Sequence, residues 1–308
     1  MSLRIPIYRD EAIQGFKKDC FVISFLAMTD SKSFKTILII KCNQIFEKMR
    51  SRIFYLITII FILFVSEQSP AGMFQSGERL HYKVSYFGIT LGHITINIEG
   101  TEDLKGIKVV KTKGYMQSNP DIPFVNLQAS YQSWIDTSGA FSHQFIGQVM
   151  IEDGSWDYHQ IDFDYKKKKI RTQKWIHKEV FFDSTYHTSK KYCDGLSLFF
   201  LARQFTKIGK RIRIPTIVDY DTVFTIINFM NKKSESEIKA VKHKIRTVYF
   251  NGKAFWTGIY GLTGEFEGWF SDDDASIPIR AKMKVYVGNI DIELIEWDRN
   301  NWSPPKAN

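Results

Sequence analysis

Reactive and metal-binding residue types are scarce in this chain. Only three cysteines occur in 308 residues, Cys20, Cys42 and Cys193, too few and too scattered for a disulfide framework or a thiolate metal cluster. The seven histidines, His81, His93, His143, His159, His177, His187 and His243, include no His-x-His or His-Glu-x-x-His arrangement, so a zinc site has no support. A Gly-x-Ser-x-Gly nucleophile elbow is missing, and so is Ser-x-x-Lys in a fitting context. With no nucleophile beside a base, no reaction class declares itself and no cofactor is expected. Dense basic faces interleaved with aromatics are absent too, which argues against nucleic acid.

Long apolar runs are also few. Up to Lys48 the chain mixes basic and apolar residues, and its runs Phe21–Met28 and Ile37–Ile40 are too short to span a bilayer. Met49 opens a different pattern. Arg50 and Arg52 form a positive start, Ile53 to Val65 is apolar except for Thr58, and Ser69-Pro70-Ala71 closes it with small residues. That is the layout of a secretory signal peptide, with cleavage after Ala71. A membrane anchor is the rival reading, but the run falls short of the ~20 residues a span needs. The expected organisation is an upstream extension over residues 1–48, a signal peptide over 49–72 and one exported domain over 73–308. No cysteine follows the apolar run closely, so a lipid-modified N-terminus is not expected. From Met73 onward there are 32 Lys and Arg against 27 Asp and Glu, an excess of 5 where the whole chain has +9, which is ordinary solubility charge.

What is present is alternation. Leu80, Tyr82, Val84 and Tyr86 alternate with Arg79, His81, Lys83 and Ser85, and Ile94, Ile96 and Ile98 with polar neighbours, the period of a strand with one buried face. Further strands are expected at Ile107–Tyr115, Ala129–Ile135, Phe141–Met150, Trp156–Tyr165, Ile170–Ile176, Arg211–Ile217, Thr222–Phe229 and Ala240–Phe250. The stretch from Ile259 to Leu294 reads as three more. Its last turn, Gly288-Asn289, predicts a two-residue hairpin facing Val285 with Ile292, Met283 with Leu294 and Lys284 with Glu293. Short strands at this spacing argue an all-β domain, mainly antiparallel. The tail after Trp297 reads as frayed.

One segment breaks the period. Asp194 is a suitable N-cap, Gly209 a suitable stop, and Leu198, Leu201, Ala202 and Phe205 recur at helical spacing with Phe199 widening the stripe. So apolar a helix is expected to plug the concave side of a strongly curved sheet or open barrel.

Three segments also carry a resemblance. Phe74-x-x-Gly77-Glu78-x-Leu80-x-Tyr82 opens the domain, and Asp194-Gly195-Leu196-Ser197 with Phe199, Phe200, Leu201 and Arg203 marks the helix. Gly264-x-Phe266-x-x-Trp269-x-Ser271-x-Asp273 leads to Ile277-Pro278-Ile279, Gly288-Asn289-Ile290 and Glu293-Leu294. Together they resemble an exported bacterial family of unknown function, numbered 3108. The resemblance implies a fold and an envelope location and no activity.

Candidate residues follow from the curved sheet. Leu198, Phe199, Leu201, Phe205, Trp256, Phe270 and His243 are the expected lining of a concave site for a lipid, an acyl chain or a hydrophobic partner. In outline this is similar to the bacterial carriers that shuttle lipoproteins across the periplasm. His243 shares its face with Val241, Ile245 and Tyr249, so a hydrogen-bonded core histidine outweighs a ligand or general base there. Lys166, Lys167, Lys168 and Lys169 make a hairpin tip whose functional alternative is contact with an anionic membrane surface. Asp272-Asp273-Asp274 reads as a solvated turn rather than a dispersed calcium loop, and Cys193 as a small packing residue. The leading expectation is a non-enzymatic binding protein of the cell envelope. The runner-up is an assembly protein acting through exposed sheet edges. Nothing in the sequence sets an oligomeric state.

Overall fold

The computed structural model describes residues 73–122, 126–138, 140–151, 153–256 and 263–308. The extension over 1–48 and the signal peptide over 49–72 therefore lie outside the described residues. Alternating patterns become strands β1 (Arg79–Tyr86), β2 (Ile89–Leu104), β3 (Ile107–Ser118), β4 (Gln128–Asp136), β5 (Ser142–Met150), β6 (Trp156–Asp164), β7 (Lys169–Ile176) and β8 (Glu179–His187). Helix α1 (Gly195–Gln204) follows, then β9 (Lys210–Val218), β10 (Asp221–Ser236), β11 (Ile245–Ala254), β12 (Gly264–Ser271), β13 (Pro278–Lys284) and β14 (Asn289–Asp298). All fourteen join one antiparallel sheet in the order β8 to β1, then β14 back to β9. The chain is thus two meanders laid side by side, and β1–β14 is the pairing that unites its ends. Every connection from an odd-numbered strand to the next emerges on the same rim, called the upper rim below.

The sheet is curled, and side chains show how far. Ile217 of β9, at one end of the strand order, packs with Phe145, Ile161, Phe163 and Ile170 of β5 to β7 near the other end. The β9–β10 turn reaches the same wing. Thr172 Oγ1 donates to the Asp219 carbonyl at 3.2 Å and Tyr186 Oη to the Tyr220 carbonyl at 2.7 Å. No ladder joins β8 to β9. Instead residues 192–193 span the seam: Ser142 N donates to Tyr192 O (3.2 Å), Cys193 N to Pro215 O (3.0 Å) and Ile217 N to Cys193 O (2.8 Å). The architecture is all-β, an open barrel wrapped on one helix.

Curvature needs room, and four inner-face glycines supply it. Gly252 lies opposite Phe266 and Gly268 opposite Phe250 across the β11–β12 pair. A Cβ on Gly252 would come within 2.4 Å of the Phe266 ring, and one on Gly268 within 2.6 Å of the Phe250 ring. Each phenylalanine therefore lies flat over its glycine partner. Gly147 lies beside the Tyr131 ring, which a Cβ would approach to 3.3 Å, and Gly114, on the other side of Tyr131, faces Leu196 of the helix at 3.4 Å.

Helix α1 starts as its sequence predicts. Asp194 accepts from Leu196 N (2.7 Å) and Ser197 N (2.8 Å), and Asp194 N donates to Ser197 Oγ (2.9 Å), a reciprocal cap. The buried face differs from the expected stripe. Phe200 is fully buried and Leu196, Ser197, Leu201, Ala202 and Arg203 nearly so, whereas Leu198, Phe199 and Phe205 are half-buried. Helical spacing alone could not tell these faces apart, because both sides of the helix are apolar. Burying Phe200 alone contributes about 2–3 kcal/mol.

Four further expectations are corrected. Strand β8 is unforeseen: an edge strand with one face open has weak alternation. Residues 240–244 precede the strand rather than belonging to it, and β11 runs on to Ala254. The last hairpin pairs Met283 with Ile290, Ala281 with Ile292 and Arg280 with Glu293. Of the two turn residues only Gly288 takes a positive φ (76°), which excludes the type I′ turn, and with Lys284 paired to Asn289 residues 285–288 make the loop. The shift is an even number of residues, so the buried face survives. Finally, the tail is held, not frayed. Arg246 N donates to Pro305 O and Ala307 N to Lys244 O, both at 2.8 Å, and Trp302 packs edge-on to Trp297 at 5.7 Å.

Candidate functional site

The concave face has a lower half that is filled and an upper half that is not. Phe205, Phe229, Phe250 and Phe270 form a chain of rings, with centroids 6.3, 6.3 and 4.5 Å apart. Leu201 is 2 % exposed within the same core. Above α1, Phe199 stands edge-on to Tyr82 at 6.4 Å. Ile94, Ile292 and Phe266 share its half-buried state and pack against the core without being enclosed by it. Met283, cross-strand partner of Phe266, is half-buried too. The Tyr82 hydroxyl is fully buried, near enough to Arg203 to feel its charge and with no hydrogen-bond partner among the described residues, and burial raises its pKa well above the ordinary tyrosine range.

The structure thus brings Leu198 and Phe199 to the edge of the open half and sinks Leu201 and Phe270 into the packed half. Trp256 stands just past β11, where its Nε1 donates to Thr225 Oγ1 at 2.9 Å. His243 belongs to neither half. It precedes β11, is half-buried, and its Nε2 donates to the Pro304 carbonyl at 3.2 Å, so its place is in the anchoring of the tail. The Lys166–Lys169 tip lies on the lower rim. Lys167 pairs with Asp164 at 3.4 Å, and Lys169 is the first residue of β7.

Polar clusters inside the fold brace the helix. At its N-terminus the fully buried Asp194 carboxyl accepts from Ser133 Oγ (2.6 Å) and Ser142 Oγ (2.5 Å) besides its two backbone donors. Burial raises its pKa and the hydrogen bonds oppose that rise. At the C-terminus Glu78, 1 % exposed, accepts from Arg203 at 2.6 and 3.1 Å and from Arg299 Nη1. Arg203 also donates to the carbonyls of Ala275 (3.0 Å) and Met73 (3.2 Å). Burial lowers the Arg203 pKa to about 10, so it keeps its charge at neutral pH. Sequence reasoning missed this cluster. The signal was Glu78 and Arg203 standing in two of the three segments that carry the resemblance, which the fold brings together with Phe74 on Phe200 at 5.4 Å.

Other candidates resolve into structural roles. Asp273 is not solvated but accepts from Ser271 Oγ (2.7 Å), Ser276 N (3.0 Å) and Trp302 Nε1 (2.8 Å). Asp272 pairs with Lys233 at 2.6 Å, and Asp274 points to solvent. No group of three His, Cys, Asp or Glu among the described residues is placed to hold a metal ion. Cys193 is buried and its thiol is pushed far up by desolvation. His159, buried where the β9–β10 turn meets β6, shares a 2.8 Å hydrogen bond with Thr172 Oγ1. Burial pushes its pKa down to about 4, against a smaller opposing pull from Asp219. Two open depressions of about 440 Å³ each lie on the outer surface. One is lined by Arg79, Thr95, Asn97 and Tyr115, the other by Asn228, Tyr249, Asn251, Glu267 and Lys282. Both are polar.

Compared with known proteins, the chain matches the family described as "Protein of unknown function (DUF3108)" over residues 81–295. Among solved structures it is similar to a β-barrel-like protein of another domain of unknown function, DUF1849, from Brucella abortus. That likeness has a TM-score of 0.50 and 9 % identity, over 73 % of this chain and 98 % of that one. A proposed exported protein with a YmcC-like fold from Bacteroides fragilis aligns at 7 % identity over 74 % of this chain and 98 % of its own. Its TM-score of 0.33 is too low to establish a common fold. No curated protein matches. The likeness to the Brucella protein concerns fold alone.

Proposed function

The chain belongs to the DUF3108 family, whose function is unknown, and from its side chains we propose a non-enzymatic binding protein of the cell envelope. It holds an apolar ligand, a lipid or an acyl chain, against the concave face above α1. The observation that carries this is the half-buried set Ile94, Phe199, Phe266, Met283 and Ile292, apolar surface on the inside of a curl where a close-packed core would be expected. Because Leu201 and Phe205 occupy the lower half, the ligand space is a cleft open at the upper rim, not a tunnel. Export rests on the Met49–Gly72 pattern, and no helix among the described residues is long and apolar enough to cross a membrane.

The unit Ser69–Asn308 is compact and carries its own core and all fourteen strands, so it is the piece to test. Native mass spectrometry with lipid extraction should find a co-purifying acyl-containing molecule, and Phe199→Asp should lose it while remaining folded. A parent protein free of lipid that also fails to bind a fluorescent fatty acid would overturn the reading. The assembly alternative is favoured by one observation, the open edge and exposed face of β8. Recovery of a protein partner from a lipid-free preparation would support it instead.

A further inference from the structure

Exposed large apolar side chains are normal when scattered. Here they are sorted. Phe87 (71 % exposed) and Ile89 (58 %) flank the β1–β2 turn, while Tyr286 (103 %) and Val287 (56 %) sit in the β13–β14 loop. Both connections emerge on the upper rim, and they are neighbours because β1 pairs with β14 down to Tyr86 and Ile290. The remaining upper-rim connections add Trp156, Val180, Phe181, Tyr220 and Phe255. Of the twelve exposed large hydrophobics, only Tyr115, Ile208 and Met230 lie elsewhere, so their placement is not scatter.

The leading pair of tips is built, not floppy. Tyr86 Oη donates to the Val287 carbonyl at 2.6 Å, and the Tyr86 and Phe87 rings meet at 4.5 Å. The Phe87 ring covers Gly288, where an added Cβ would approach Cζ to 3.0 Å. Phe87 itself holds φ at 46°, a conformation that turns normally give to glycine or asparagine. A large apolar side chain held in strained backbone and 71 % exposed gains little from the folded chain beyond its contacts with Tyr86 and Gly288.

Charge is thin at these two tips. Lys166, Lys168 and Lys190, which have no carboxylate partner among the described residues, lie on the lower rim. At the upper rim Lys284 is paired with Glu265 at 3.3 Å and Lys253 lies over the Phe255 ring at 5.4 Å. The exposed charges Lys178, Glu179, Asp219 and Asp221 stand on other upper-rim connections, whereas residues 87–88 and 285–288 of the two leading tips include no charged side chain, so seating these tips in an apolar medium buries little charge.

We propose that the upper rim docks on a lipid bilayer, with Phe87, Ile89, Tyr286 and Val287 entering the interface between headgroups and acyl chains. The tips are convex and stand on separate connections around the rim, so a planar, fluid surface can receive them together. A folded protein partner would need a matching socket for each. Tyr286, Tyr220 and Trp156 are aromatics of the amphipathic kind that favour this depth. The inference does not depend on a ligand in the cleft, although the cleft opens on the same rim and a docked molecule would have it facing the bilayer.

The test is flotation of the 69–308 unit with vesicles of phosphatidylcholine alone and of phosphatidylethanolamine with phosphatidylglycerol. The parent should float with both, and salt should change the bound fraction little. Substituting Phe87→Ser, Tyr286→Ser and Val287→Ser together should lower partitioning by roughly tenfold or more. Substituting Lys166→Ser, Lys168→Ser and Lys190→Ser should leave it unchanged. All six side chains are solvent-facing, so the urea midpoint should hold in both variants and separate lost docking from lost folding. The proposal is overturned if the parent floats with neither vesicle or if the tip variant floats like the parent. Loss of flotation with the lysine variant instead would also overturn it, and would point to an anionic surface at the other end.

Discussion

Replacing Glu78 by glutamine tests the brace between the helix and the end of the chain. The carboxylate is 1 % exposed and stands between the guanidinium groups of Arg203 and Arg299, themselves 2 % and 7 % exposed. Glu78→Gln keeps the shape and removes the charge, leaving two buried cations facing each other with carbonyls of Met73 and Ala275 among their remaining acceptors. Breaking a buried pair by removing one partner costs about 3–5 kcal/mol, because the surviving charge stays desolvated. With a urea slope of about 2–3 kcal/mol/M for a chain this size, the midpoint should fall by ~1–2 M. Tryptophan fluorescence of the 69–308 unit follows it directly. Arg203→Met alone should cost a similar amount. Glu78→Gln with Arg203→Met should cost less than the sum, since the second change removes one of the stranded charges. A Glu78→Gln loss below ~1 kcal/mol, or strict additivity in the double variant, would show that the cluster is solvated and not a brace.

Two further outcomes follow from packing and from acid. Gly268→Ala should destabilise by about 1–3 kcal/mol, since its Cβ would press on the Phe250 ring, which is hemmed in by Phe229 and Phe270. Phe250→Leu in the same chain should recover part of that loss, and a neutral Gly268→Ala in urea unfolding would refute the role given to the glycine. Because His159 titrates near 4 when folded and near 6.5 when unfolded, the unfolded chain binds more protons between those values. Stability present above pH 6.5 should therefore fall as pH drops toward 4, by up to ~3 kcal/mol. Thr172, Asp219 and Lys174 are the groups facing the ring. Urea midpoints at pH 7.5 and 4.5 should converge in His159→Gln, and an unchanged acid sensitivity in that variant would sink the assignment.

Much of the fold was legible in alternation, because a strand with one buried face writes its period into the side chains. Leu80, Tyr82 and Val84 face the core as their spacing implies, and Asp194 caps the helix as its position implies. Legibility ended where long-range geometry decides. β8 has no buried face to mark it. The last hairpin's register depended on which residues could take a positive φ and on a tyrosine 201 positions away holding the loop. Arg299 and Trp302 looked like loose tail because their partners, Glu78 and Asp273, are distant in sequence. The same limit applied to the cleft: two apolar helix faces are equivalent on paper, and only the sheet decides which one it covers.

The seam between the β8 and β9 ends of the sheet has a mechanical meaning. A fully hydrogen-bonded barrel has its girth set by strand number and stagger. Here the gap is bridged by residues 192–193 and by the Asp219–Tyr220 turn resting on β6 to β8, so the girth at this place is held by a handful of hydrogen bonds in place of a continuous ladder.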